Sequence, residues 1–130
     1  MTTNPPPDGS CPELVDGFNV PLLHRIFEFY KLAYQYIQLF PKKDKYTLGK
    51  KVDNLILDLI ELTFLATYLS KEKKYDVLQK ASLKIDLLKI LIRLAKEVKA
   101  LDNKKYIQLQ QELQEIGKMI GGWIRSIKLY

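Results

Sequence analysis

The 130-residue chain has little with which to do chemistry. It holds one cysteine and one histidine. A lone cysteine, Cys11, excludes an intrachain disulfide framework. His24 has no cysteine or carboxylate at metal-ligand spacing, so it reads as a packing or surface residue. The di-metal pattern of helical bundles needs paired Glu-x-x-His motifs, and none occurs. Serine is scarce, and no Ser–His–acid or Cys–His set can be assembled. There is no glycine-rich phosphate loop, because Gly121-Gly122 sits inside an apolar helical pattern. No apolar run approaches the ~20 residues that span a bilayer. The N-terminus is proline-rich and polar rather than basic and then apolar, so no signal peptide is expected. These absences predict a cytoplasmic protein that is not an enzyme, uses no metal or cofactor and has no membrane partner.

Basic residues are missing from residues 1–20, which contain Asp8, Glu13 and Asp16 but no lysine or arginine. The same segment holds Pro5-Pro6-Pro7 and Asp8-Gly9 and shows little periodicity, so it is expected to be a flexible acidic tail. Residues 21–130 carry 21 basic and 12 acidic side chains, a surplus of nine. That length suffices for one domain with one core. The surplus suits an anionic partner such as nucleic acid, acidic protein or lipid headgroups. The plainer reading is a lysine coat that aids solubility.

What the body does have is helical periodicity. Val20-Pro21 fits a helix entrance, with Asn19 as its cap. In a first helix over residues 21–40, Leu23, Ile26, Tyr30, Ala33, Ile37 and Phe40 step by three and four. Phe27, Tyr34 and Tyr36 widen that stripe with rings that can stack on bases but more often pack in a core or interface. A second helix over 45–70 keeps a heptad rhythm through Leu48, Val52, Leu55, Leu59, Leu62, Ala66 and Leu69. A third, over 71–100, places Leu78, Ala81, Ile85, Leu88, Ile92 and Ala95 on one face. The fourth, over 103–128, repeats Tyr106, Leu109, Leu113, Ile116, Ile120, Trp123 and Ile127, with Tyr130 beyond. Gly117 and Gly121 lie beside that stripe, where close approach of a neighbouring backbone or a bend would account for them. Short connections over 41–44, 70–73 and 101–103 make consecutive helices antiparallel neighbours. The expected fold is all-α: an antiparallel up-down-up-down four-helix bundle over residues 21–130.

Two surfaces of this bundle stand out. On the third helix Leu83, Leu87, Ile90, Leu94 and Leu101 form a second apolar arc, too wide for a monomeric bundle, so they are expected to line an oligomer interface. The other surface is basic. Pro41 ends the first helix, Asp44 is placed to cap the second, and Lys42, Lys43, Lys45, Lys50 and Lys51 crowd the turn and first coils. Topology brings the first and third connections to one end, so Lys104 and Lys105 join them as candidate nucleic-acid contacts. Lys71, Lys73, Lys74, Arg125 and Lys128 make the other end basic too. On the third helix Lys89, Arg93 and Lys96 form a ridge, partly offset by Asp86 and Glu97, that reads equally as a solvated face or an anion site. Asp53, Asp58 and Glu61 read as partners of lysines on neighbouring helices rather than an acid–base pair.

Phe40-Pro41-Lys42 followed by Lys45-Tyr46-x-Leu48-Gly49 resembles the signature turn of a four-helix-bundle family with two branches. One is the proteins encoded in intervening sequences of bacterial 23S ribosomal RNA genes. The other is the accessory variability determinant (Avd) of diversity-generating retroelements. The leucine-rich second helix and the closing Gly117-Lys118-Met119-Ile120-Gly121-Gly122-Trp123 are more similar to the Avd branch, over residues 22–128. The resemblance implies a basic pentamer that binds the element's reverse transcriptase and nucleic acid, RNA or DNA, in mutagenic retrohoming, without being a polymerase. Only the Phe-Pro-Lys turn and its flanking lysines carry over as site residues. The alternative is an oligomeric structural scaffold that binds no nucleic acid. Salt-dependent RNA binding separates the two.

Overall fold

Proline at position 41 cuts the first helix from the second, and the chain reverses there. A computed structural model describes residues 19–128. Helix α1 runs Asn19–Gln38. Its last turn tightens as Leu39 N–H and Phe40 N–H donate to the carbonyls of Tyr36 and Ile37, each at 3.0 Å. Pro41 then takes an extended conformation (φ −54°, ψ 149°), and its carbonyl accepts from Asp44 N–H and Lys45 N–H. A residue of this geometry opens a helix without needing its own N–H. Helix α2 is one rod in three consecutive segments: Lys42–Asp44, a π-helical Lys45–Gly49, and Lys50–Ala66. It therefore starts three residues before the sequence expectation. Asp44, expected as its cap, lies inside it and makes no side-chain capping bond.

Helix α3 runs Lys71–Glu97 and helix α4 Asn103–Lys128. The end of α3 is a Schellman motif. Lys99 is left-handed (φ 66°), Lys99 N–H donates to Lys96, and Ala100 N–H donates to Ala95. That reversal carries Leu101 into the core. Asp102 then caps α4, accepting from Lys105 N–H at 2.8 Å.

The four rods form the antiparallel up-down-up-down bundle, each packed on its sequence neighbours and α4 closing against α1. The described residues form helices and turns only. At least one polar tie crosses every seam. Tyr30 hydrogen-bonds Asp53 between α1 and α2, and the Lys84 ammonium meets Asp58 at 3.6 Å between α3 and α2. Gln110 Nε2 donates to the Lys89 carbonyl at 2.9 Å between α4 and α3. Arg25 donates to Glu112 at 3.1 Å, and Tyr36 donates to Gln108, between α1 and α4. Surface and part-buried ties of this kind contribute about 0–1.5 kcal/mol each, so they fix register while apolar burial supplies the stability.

The core follows the predicted stripe on α3, where Leu78, Ala81, Ile85, Leu88, Ile92 and Ala95 are all buried. On α1, Leu22 and Phe29 take the inward places expected of Leu23 and Tyr30, which are half-buried. On α2, Ile56 and Thr63 are buried and Leu48 and Leu62 half-buried, while Leu69, also half-buried, lies in the turn beyond Ala66, where α2 ends short of the expected residue 70. Thr63 is tolerated because its hydroxyl donates to the helix's own carbonyls at Leu59 and Ile60, 3.0 Å each. Tyr130, residues 1–18 of the expected tail and the Asn19 side chain lie outside what the structure describes.

The glycines of α4 differ from expectation. The helix passes through Gly121-Gly122 without a break. A methyl on Gly117 would touch only Ile85, at an ordinary 3.8 Å. Gly117→Ala is therefore expected to stabilise the fold by about 1 kcal/mol, the difference in helix propensity. A rise in the urea midpoint at unchanged m-value checks it.

Candidate nucleic-acid interface

Lysine has no reason to cluster where α1 and α3 end and α2 and α4 begin, unless its charge is used or solvated there. Pro41 sets the start of α2, so Lys42 and Lys43 point from its first turn and both are exposed. Lys50, Lys51 and Lys104 are exposed as well, while Lys45 and Lys105 are half-buried. The Lys105 ammonium lies 5.6 Å from the centre of the Tyr36 ring, which ties the start of α4 to the end of α1. The predicted lysines from the first and third connections therefore share one end of the bundle.

They are not equivalent. Lys105 is held by Asp102, whose other oxygen it meets at 2.8 Å. Bonding to Lys105 pulls the Asp102 carboxyl below its usual range, and the same bond pushes the Lys105 ammonium up. Lys105 therefore serves the cap of α4 first. Two further lysines at this end were less legible. Lys96 stacks on Tyr106 at 4.5 Å, and Lys99 is exposed at the left-handed turn. Their signal was topological: the end of α3 must lie beside the first connection.

Between α1 and the π-helical turn runs a groove of about 300 Å³, lined by Tyr34, Ile37, Gln38, Lys45, Tyr46, Gly49, Lys50 and Asp53. Its floor is set by Gly49, where an added Cβ would stand 2.8 Å from Ile37 Cγ2. Only glycine lets the two helices approach this closely. Tyr34 and Tyr46 are 51% and 63% exposed. Lys45 Nζ lies 5.9 Å from the centre of the Tyr46 ring. At the inner edge Tyr30 donates to Asp53, a bond that pushes its phenol up to about 12.

The second expected surface lies on α3. Leu83, Leu87, Ile90 and Leu94 are exposed on the protomer along one stripe, and Val98 extends it. Leu101 does not belong to it. It is 4% exposed in the core, because the reversal at Lys99 turns the chain inward. The basic ridge beside the stripe is largely spoken for: Arg93 donates to Glu97 at 3.2 Å and Lys96 covers Tyr106.

At the opposite end, Lys71 and Lys128 share a cleft with Glu72 and Asp76, so acids offset the charge there. The Lys74 ammonium is 5.8 Å from the Trp123 ring. Asp53 and Asp58 hold Tyr30 and Lys84, which gives them structural work. His24 is exposed. Among the described residues no group of His, Cys, Asp and Glu is placed to hold a metal ion. No helix among them is long and apolar enough to cross a membrane.

A protein-family model described as bAvd-like matches residues 22–127. No curated protein matches the chain.

Proposed function

Since the chain belongs to the bAvd-like family, the non-catalytic accessory proteins of diversity-generating retroelements, we propose that it binds the element's reverse transcriptase together with its template RNA. The observation that carries this reading is the run from Lys42 to Lys51, where five lysines stand against one acid, Asp44, at one end of the bundle. Lysine meets phosphate as a point charge, so RNA or DNA is held with little base specificity. The protein acts in the cytoplasm as a homo-oligomer, the pentamer that the resemblance implies. Repeating the basic end around such a ring multiplies contacts to one RNA and raises its effective concentration near a bound enzyme. The reverse transcriptase also binds RNA and is itself expected to be basic. Charge therefore does not join the two proteins; apolar anchors or the RNA do.

Binding of template RNA should weaken steeply with salt, because each neutralised phosphate releases counterions. Changing Lys42, Lys43 and Lys104 to glutamine should lower the log–log slope by about 2, at roughly 0.7 per single-strand phosphate. An unchanged slope would remove this end of the bundle from the reading. Co-purification with the neighbouring reverse transcriptase tests the rest. A complex that survives ribonuclease and high salt marks direct contact, and one lost to ribonuclease alone marks an RNA bridge. No complex with template RNA present would leave the scaffold reading, which the exposed α3 stripe favours.

A further inference from the structure

We propose that the groove between the end of α1 and the π-helical turn of α2 takes unpaired nucleotides, with bases stacked on Tyr34 and Tyr46 and phosphates held by Lys45 and Lys50. This rests on the nucleic-acid reading above and adds a site and a preference for single strands to it.

Three features of the groove support it. Two tyrosines that are more than half exposed line the same space, one from each helix. Two lysines line that space with them, and Lys45 already sits beside the Tyr46 ring, within reach of the phosphate of a base laid there. Rings that stack bases, interleaved with cations that track the backbone, are how single strands are held without sequence preference. The groove's 300 Å³ lies at the small end of ligand pockets, about 300–1,000 Å³, which suits a flat base and not a folded partner.

The backbone explains why this spot differs from the rest of the surface. The π-helical turn inserts a residue into α2 where Lys45, Tyr46 and Gly49 line the groove with residues of α1, a device frequent at functional sites. Gly49 lets α1 pack close against this turn and so forms the groove's floor. Asp53 is the one carboxylate lining the groove, and it accepts from Tyr30. It repels phosphate from the inner edge, so the phosphate lies on the lysine side while Gln38 and Asp53 meet the polar edge of the base. A duplex cannot use the groove, because its bases are already stacked on one another. The contrast with α3 argues against a second copy of the chain as occupant. There the exposed side chains Leu83, Leu87, Ile90 and Leu94 are all aliphatic, while here tyrosine and lysine alternate.

The test uses the full-length protein, a short mixed-sequence RNA carrying a fluorescent adenine analogue, and the same RNA annealed to its complement. Single strand should bind more tightly than duplex, with quenching of the analogue. Tyr34→Ala with Tyr46→Ala should weaken single-strand binding by roughly tenfold per ring, leaving duplex affinity and the salt slope unchanged. The paired phenylalanine variants should restore binding, because they keep the rings. Equal losses on single strand and duplex, no quenching, or phenylalanine variants as weak as alanine would overturn the groove. A fall in oligomer mass in the alanine variant would overturn it too, by showing that the groove packs on another copy. Steep salt dependence without any single-strand preference removes the groove and leaves the lysine-run reading standing. Absence of binding to either RNA at low salt removes both.

Discussion

Replacing Ile90 with lysine is expected to turn an oligomer into monomers whose helices remain intact. Leu83, Leu87, Ile90 and Leu94 repeat by four, three and four along α3, and on the protomer they are 67%, 37%, 63% and 45% exposed. A contiguous aliphatic stripe of that kind is unusual on a soluble monomer, where apolar patches rarely pass a few hundred Å². Fully burying each side chain gains about 1.5–3 kcal/mol, to be set against the freedom lost on association, about 4–15 kcal/mol. The margin is small enough for one charge to reverse it, since an ammonium in a dry interface costs several kcal/mol. Ile90 faces away from the bundle core, so the same lysine on a free protomer is solvated and the fold should not notice it. Light scattering at micromolar concentration should therefore give an oligomer for the parent and the protomer mass for Ile90→Lys, with superimposable far-ultraviolet circular dichroism. A monomeric parent would refute the interface. An unchanged mass for the variant would move it off α3.

The sequence carried the bundle and most of its core, but it failed where a helix ends or changes pitch. The stripe from Leu78 to Ala95 was legible because α3 is regular for 27 residues and nothing within it breaks the three-four spacing. Extending the outer arc to Leu101 ran past Glu97, where Lys99 adopts a left-handed conformation that hydrophobic periodicity does not encode. In α2 the rhythm predicted Leu48 as core, yet the π-helical turn adds a residue upstream of Lys50 and rotates everything before it. In α1 two adjacent arcs, Leu23–Tyr30 and Leu22–Phe29, are equally apolar, and only the neighbouring helices decide between them. The basic end was legible as charge because the connections are short and fix which helix ends meet. The groove was not: the Pro41 turn brings Tyr34 and Tyr46 to the same end of the bundle, but nothing in the periodicity shows that both line one groove. Gly49 was its one local trace, as part of the Lys45-Tyr46-x-Leu48-Gly49 turn.

Trp123→Ala is expected to destabilise the protein more than any substitution at the basic end. The indole is fully buried, the largest side chain in that state, and it packs where α4 meets α3 beside the ammonium of Lys74. Removing a buried aromatic loses its transfer energy and leaves a cavity, together about 3–5 kcal/mol. A domain of this size has about 5–15 kcal/mol in total. The melting temperature should fall by about 10–20 °C, and by much less for Trp123→Phe, which keeps most of the apolar volume. Thermal unfolding followed by circular dichroism at fixed protein concentration measures both, and an unchanged midpoint for the alanine variant would show that the ring is not an anchor. The substitution also separates stability from function. Trp123 stands at the end of the bundle opposite Lys42, Lys43 and the tyrosine groove. Well below its lowered melting temperature, Trp123→Ala should bind template RNA with the parent's salt slope. If it loses RNA binding while still folded, the two ends are coupled, and the nucleic-acid surface extends beyond the lysines of the first and third connections.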